Sequence, residues 1–247
     1  MAQNYLQLCN TFIAERGVNG NTPIEDVASV VGEAARVVQF IADADFEIQQ
    51  LNANWNFMWV RYQGVLTIGS DVIPLPVQGT DGYTMKKMDR GSLSIAYDTT
   101  TSATRPIYQP WRQFETQWDS HGTKDSSDTP QNWSIRPDGV MVLSHLPLTA
   151  LGVRYELWKR PKRMSGSTEV SPLQTMTQID TSGKELNRIV IVRAKVLWAE
   201  AEGDTEVMQG SLAEYQDLIE ELRSLCLPSM EGDRASEDDV QLCVEGW

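Results

Sequence analysis

The chain has 247 residues, 41% hydrophobic and 22% charged, which is ordinary globular usage with room for one large domain or two small ones. A net charge of −13 runs against a protein that grips nucleic acid by its phosphates. The apolar runs fall far short of a membrane-spanning helix, and three widely separated cysteines, Cys9, Cys226 and Cys243, argue against a disulfide framework.

The N-terminus, MAQNYLQLCNTFIAER, has no basic stretch followed by an apolar one, so no signal peptide is expected. Residues Asn4 to Arg16 predict a short helix with Tyr5, Leu6, Leu8, Cys9 and Ile13 on its apolar side. The segment Gly17-Val18-Asn19-Gly20-Asn21 breaks it. Thr22-Pro23-Ile24-Glu25 then reads as a capping box with proline at the first helical position. Apolar residues at Ile24, Val27, Val31, Ala34, Val38, Ile41, Ile48 and Trp55 predict a helix of roughly 30 residues, about 45 Å long. Asp43, Asp45, Glu47, Gln49 and Gln50 mark its polar side.

From Gly64 the period changes to two. Residues 65–69 and 71–75 predict two short strands around a Gly-Ser-Asp turn, and 92–97 a third. Residues 98–130 are rich in Thr, Ser, Asp and Pro, which predicts irregular strands and an exposed loop from Asp119 to Pro130. Pro137-Asp138-Gly139 joins 133–136 to 140–143 as a hairpin, and 153–159 alternates as a half-buried strand. After a loop at 162–182, Leu186 to Glu200 predicts a helix carrying Trp198. Gly203-Asp204-Thr205 interrupts it, and Val207 to Leu225 forms a second amphipathic stretch that Pro228 ends. In Ser229–Trp247 the acidic stretch Glu231 to Asp239 reads as a flexible linker. The strand-like end that follows presents Val240, Leu242, Val244 and Trp247 for docking on a partner.

These elements predict an α+β fold. Residues 1–62 and 162–227 supply an antiparallel helical bundle, 63–161 a small antiparallel β module inserted between its halves, and 228–247 a flexible arm. Trp55, Phe57 and Trp59 sit where helix passes into sheet and are read as a structural weld.

A catalytic constellation does not emerge. His121 stands beside Asp119 and Ser120, but triad members normally come from separate elements, so it reads as a loop histidine. His145 reads as a rim or interface residue, and neither histidine has the spacing of a zinc site. Asp43, Asp45 and Glu47 are the one acidic group that invites a divalent metal, and the commoner reading is the solvated face of a helix. Phosphate-cradling glycine loops are absent, and Lys159-Arg160-Pro161-Lys162-Arg163 reads as a solvated basic loop. Trp111, Trp118 and Trp133 are candidates for sugar platforms in a carbohydrate-binding or tail interaction module, against core and interface packing as the plainer alternative. No catalytic, cofactor-binding or metal residue is assigned.

The order of features resembles one family. Phe46-Glu47-Ile48-Gln49 leads to Trp55-Asn56-Phe57-Met58, and then to Gly69 through Ile73-Pro74-Leu75-Pro76. Trp133-Ser134-Ile135, the Pro-Asp-Gly turn and Tyr155-Glu156-Leu157-Trp158-Lys159-Arg160-Pro161 follow before the last helices. The whole is similar to the head-to-tail adaptor (connector) proteins of tailed bacteriophages. This sequence departs from the family pattern at Ile73, where a tyrosine is expected, and at His145-Leu146-Pro147, where Pro-x-Pro is expected. The resemblance implies a structural virion protein without enzymatic activity. It implies a twelvefold ring of copies beneath the portal protein in the virion neck, assembled in the host cytoplasm. The ring would meet a tail or neck protein and let DNA pass through its lumen without specific binding or any membrane. The arm would order on the portal or on a neighbouring copy.

Overall fold

The computed structural model describes residues 3–76, 83–96, 103–119, 124–127, 129–175 and 187–227. The chain is a mixed α+β protein that divides into two compact units. Among the described residues, the first holds those up to Met58 together with those from Pro161 to Leu227, and the second those from Trp59 to Arg160.

In the first unit, helix α1 spans Tyr5–Arg16. Its capping box is Asn4–Gln7: the Gln7 N–H donates to Asn4 Oδ1 and the Asn4 N–H to Gln7 Oε1, both at 2.9 Å. Helix α2 spans Glu33–Gln50, shorter by about a dozen residues than the spacing predicts. Thr22-Pro23-Ile24-Glu25 does not start it. The Asn10 side chain holds both backbone groups of Ile24, accepting from its N–H at 2.8 Å and donating to its carbonyl at 3.0 Å. The Val27 N–H goes to Ser167 Oγ at 3.1 Å. Groups that a helix would use internally are thus already taken, and the local capping signal loses to tertiary hydrogen bonds. Helix α2 stops at Gln50, so Trp55 lies beyond it, ahead of a 3₁₀ turn at Asn56–Met58.

The C-terminal helices α4 (Asn187–Glu202) and α5 (Thr205–Cys226) meet at Gly203, whose φ of 73° ends the one, and at Asp204, which caps the other by accepting from the Val207 N–H at 3.1 Å. Helix α4 packs on α1, α2 and α5. Trp198 carries much of this, with its ring centroid 5.8 Å from Phe12 and 5.7 Å from Phe40. Leu8, Val37, Ile41, Ile48 and Val190 are fully buried in this unit. Arg188 spans to Glu15 and Glu214 at 2.7 Å each, and Arg193 to Glu47 at 2.7 Å.

The second unit contains two sheets. Strand β1 (Trp59–Leu66) pairs antiparallel along its length with β7 (Leu151–Lys159). The other side of β7 carries β2 (Met85–Met88) and β3 (Ser94–Ala96). The three-stranded sheet sets β4 (Ile107–Tyr108) parallel to β5 (Asn132–Ile135), which pairs antiparallel with β6 (Met141–Leu143). Inward side chains, among them Leu66, Ile73, Trp133, Leu143, Val153 and Tyr155, form one core. Its hairpin turn follows the sequence: Gly139 has φ 82°, and Asp138 Oδ1 accepts from the Val140 N–H.

Two expectations for this unit are corrected. Residues 65–69 and 71–75 are not a strand pair; β1 ends at Leu66, and of the second stretch only Val72 makes a bridge, to Val142. Pro74 and Pro76 remove the donors that a ladder needs there. Between Trp111 and Asp119 the chain forms a short helix, α3 (Trp111–Phe114), continued by a wider turn at Glu115–Asp119, in place of irregular strands.

Gly64 has no room for a side chain. A Cβ there would stand 2.9 Å from Tyr62 Cε1 and 3.0 Å from Pro74 Cγ. Pro74 is held in turn, because its carbonyl accepts from the Tyr155 hydroxyl at 2.8 Å. Gly64→Ala should cost about 1–3 kcal/mol, read as a lower urea midpoint at unchanged slope.

Candidate functional site

The sequence-predicted residues scatter across both units. Trp55 and Phe57 belong to the first, where both are buried and stacked with centroids 5.3 Å apart. The Trp55 indole N–H donates to the Ile48 carbonyl at 2.9 Å, closing the end of α2. Trp59 opens β1 in the second unit and is 39% exposed. His121, Val240, Leu242, Val244 and Trp247 lie outside the described residues, as do the linker 231–239 and part of the 119–130 loop.

His145 is tied to its chain neighbour and to an aromatic ring. Its Nδ1 shares a 2.8 Å hydrogen bond with its neighbour Ser144, and its ring lies against Trp118. Trp133 is fully buried beside Tyr108, so it presents no flat ring to a ligand, while Trp111 and Trp118 are half-buried. Among the described residues, no group of three or more His, Cys, Asp and Glu side chains is arranged to hold a metal ion.

The acidic trio on α2 is not one solvated face. Asp43 pairs with Arg163 and Glu47 with Arg193. Asp45 is fully buried: its Oδ1 accepts from the Ser171 hydroxyl and its Oδ2 from Gln49 Nε2 at 2.7 Å. Gln49 also grips the peptide of Lys162, accepting from its N–H at 3.0 Å and donating to its carbonyl at 3.2 Å. The basic stretch after β7 is therefore not merely a solvated loop. Its second half is strapped onto α2, and the strap goes on to hold α1 through the Tyr5 N–H to the Glu169 carbonyl at 2.8 Å. Burial pushes the Asp45 carboxyl up to about 6, with a further push from the Glu169 charge; the hydrogen bonds from Ser171 and Gln49 pull the other way. The residues round it hold a strap in place.

The arrangement with binding character is the outward face of the four-stranded sheet. Alternation on β7 sends Val153, Tyr155 and Leu157 inward and Arg154, Glu156 and Trp158 outward. Trp59 is the cross-strand partner of Trp158, and Arg61 that of Glu156, with which it pairs at 2.8 Å. Lys87 on β2 stands opposite Trp158 from the other side, its ammonium 4.3 Å from the ring centroid. The Trp158 indole N–H is shielded and has no acceptor. Arg154 is exposed, and so is Val65 on β1, at 64%. Two indoles and several cations thus share one side of a sheet, in a chain of strongly negative net charge. Strict alternation in 153–159 was the signal for that face; Lys87 could not be placed because the short strand carrying it has no such pattern.

No protein-family model matches the chain, and no curated protein matches it.

Proposed function

We propose that the chain is a structural virion protein, a head-to-tail adaptor of a tailed bacteriophage, without enzymatic activity. It works as one copy of a twelvefold ring beneath the portal, extending the DNA channel and giving the tail or neck protein its platform in the virion neck. The observation that carries this reading is the chain order of the two units. Helices from both ends of the sequence share one unit, and the β unit is inserted between them. The reading takes those helices as an antiparallel bundle and the residues after α5 as an arm that orders on the portal or a neighbouring copy through Val240, Leu242, Val244 and Trp247. The acidity of the chain supports it, since a lumen lined with negative charge lets DNA slide without holding it.

The test is the mass of the purified full-length protein by light scattering, alone and with a portal protein from the same source. The expected result is a ring of about twelve copies, free or only on the portal. A monomer indifferent to the portal overturns the reading.

A further inference from the structure

The charge of this chain is divided unevenly. Of its 21 basic and 34 acidic residues, 11 and 10 lie in 59–160, which sets that stretch at +1 and the rest of the chain at −14. Within the second unit, Arg61, Lys87 and Arg154 project from the outward face of the β1–β7–β2 sheet, against Glu156 alone on those strands. Arg160 continues the same alternation just past β7. Trp59 and Trp158 lie between these cations.

The only run of three consecutive acidic residues in the sequence is near its C-terminal end. Residues 229–247 hold six acidic residues and one basic, and three of the acids are consecutive: Glu237, Asp238 and Asp239. Helix α5 ends at Cys226, and the eleven residues 228–238 can reach up to about 40 Å when extended. The apolar residues after Asp239 suit a surface that also carries exposed indole and Val65.

We propose that the outward face of the β1–β7–β2 sheet is the docking surface for the chain's own acidic C-terminal segment, residues 231–245, within one copy. Arg61, Arg154 and Lys87 take the carboxylates of 237–239, and Trp59 and Trp158 take the apolar residues that follow. Complementary potentials favour this occupant over nucleic acid, which the −14 carried by the rest of the chain would repel. The surface holds the segment whatever the chain assembles into, and in a ring it would keep the arm in place until a partner claims it.

The segment carries its own probe site. Cys9 and Cys226 are buried, and burial pushes their thiols up to about 12 and about 11, so mild thiol chemistry on the full chain labels Cys243 first. With a nitroxide on Cys243, the amide signals of 59–63 and 154–158 should broaden at low salt and recover at about 1 M salt, where the screening length is about 3 Å. The broadening should persist when labelled chain is diluted into unlabelled chain. Arg61→Glu with Arg154→Glu should abolish it at unchanged circular dichroism, and adding Asp238→Lys with Asp239→Lys should restore it. The proposal is overturned by any of three outcomes: absence of broadening at low salt, broadening that appears only between copies, or perturbation of these amides by a single-stranded oligonucleotide but not by the nitroxide. Its failure is separate from that of the adaptor reading, which the scattering measurement decides.

Discussion

Trp55→Ala should lower stability by about 3–5 kcal/mol, a large share of the roughly 5–15 kcal/mol that holds an ordinary domain folded. Three losses coincide. The fully buried indole is removed and a cavity remains beside Phe57, which loses its stacking partner. The Ile48 carbonyl, in the last turn of α2, loses its 2.9 Å donor and keeps only the shared, longer bond from the Leu51 N–H at 3.3 Å. Trp55→Phe separates these terms: it retains most of the buried area, gives up the hydrogen bond, and should cost about 1–2 kcal/mol. Urea unfolding followed by helical circular dichroism measures both. Equal costs for the two variants would show that the hydrogen bond, rather than the buried ring, dominates.

Asp45→Asn should stabilise the protein by about 3 kcal/mol at about pH 8 and leave it almost unchanged at about pH 3. The carboxyl titrates near 6 in the folded chain and near 3.8 when free. Below 3.8 it is protonated in both states and contributes no penalty. Between 3.8 and 6 the unfolded chain ionises readily while the folded chain resists, so stability falls as pH rises, and above 6 the full loss is in place. Asparagine can keep both bonds, accepting from Gln49 Nε2 and donating to the Ser171 hydroxyl oxygen, with no charge to bury. Other carboxylates slope the opposite way. Glu169, for one, is held below its ordinary range: burial works to raise it, and is outweighed by the N–H groups of Ser165 and Gly166 and by Lys162. The measurement is therefore the difference between variant and wild type across pH. A difference that is flat with pH would mean that the carboxyl titrates alike in the folded and unfolded chain, so that its burial carries no penalty.

Alternation and turn chemistry located β7 and the β5–β6 hairpin, because strands with one buried face write a period of two into the sequence. The α4–α5 break was equally plain at Gly203-Asp204. What failed was local logic meeting distant partners. Thr22-Pro23-Ile24-Glu25 has every mark of a helix start, yet Asn10 and Ser167, 14 and 140 residues from the groups they bind, hold that stretch extended. Asp45 looks like its solvated neighbours until the strap at 162–171 folds over it. The outward sheet face was half legible: Arg154, Glu156 and Trp158 follow from alternation, but Trp59 and Lys87 join them only through strand register, which no local pattern sets.

The inserted stretch begins at Trp59 and ends at Arg160, two residues past Trp158, the register partner of Trp59 on the adjacent strand. A fold whose way in and way out are neighbours can be acquired or discarded by a host sequence without moving the ends to which it attaches. Such an architecture lets the helical part keep its own pace of change while the inserted sheet diversifies. Grafting residues 59–160 into an unrelated scaffold would need only a splice point where two chain ends lie one strand spacing apart.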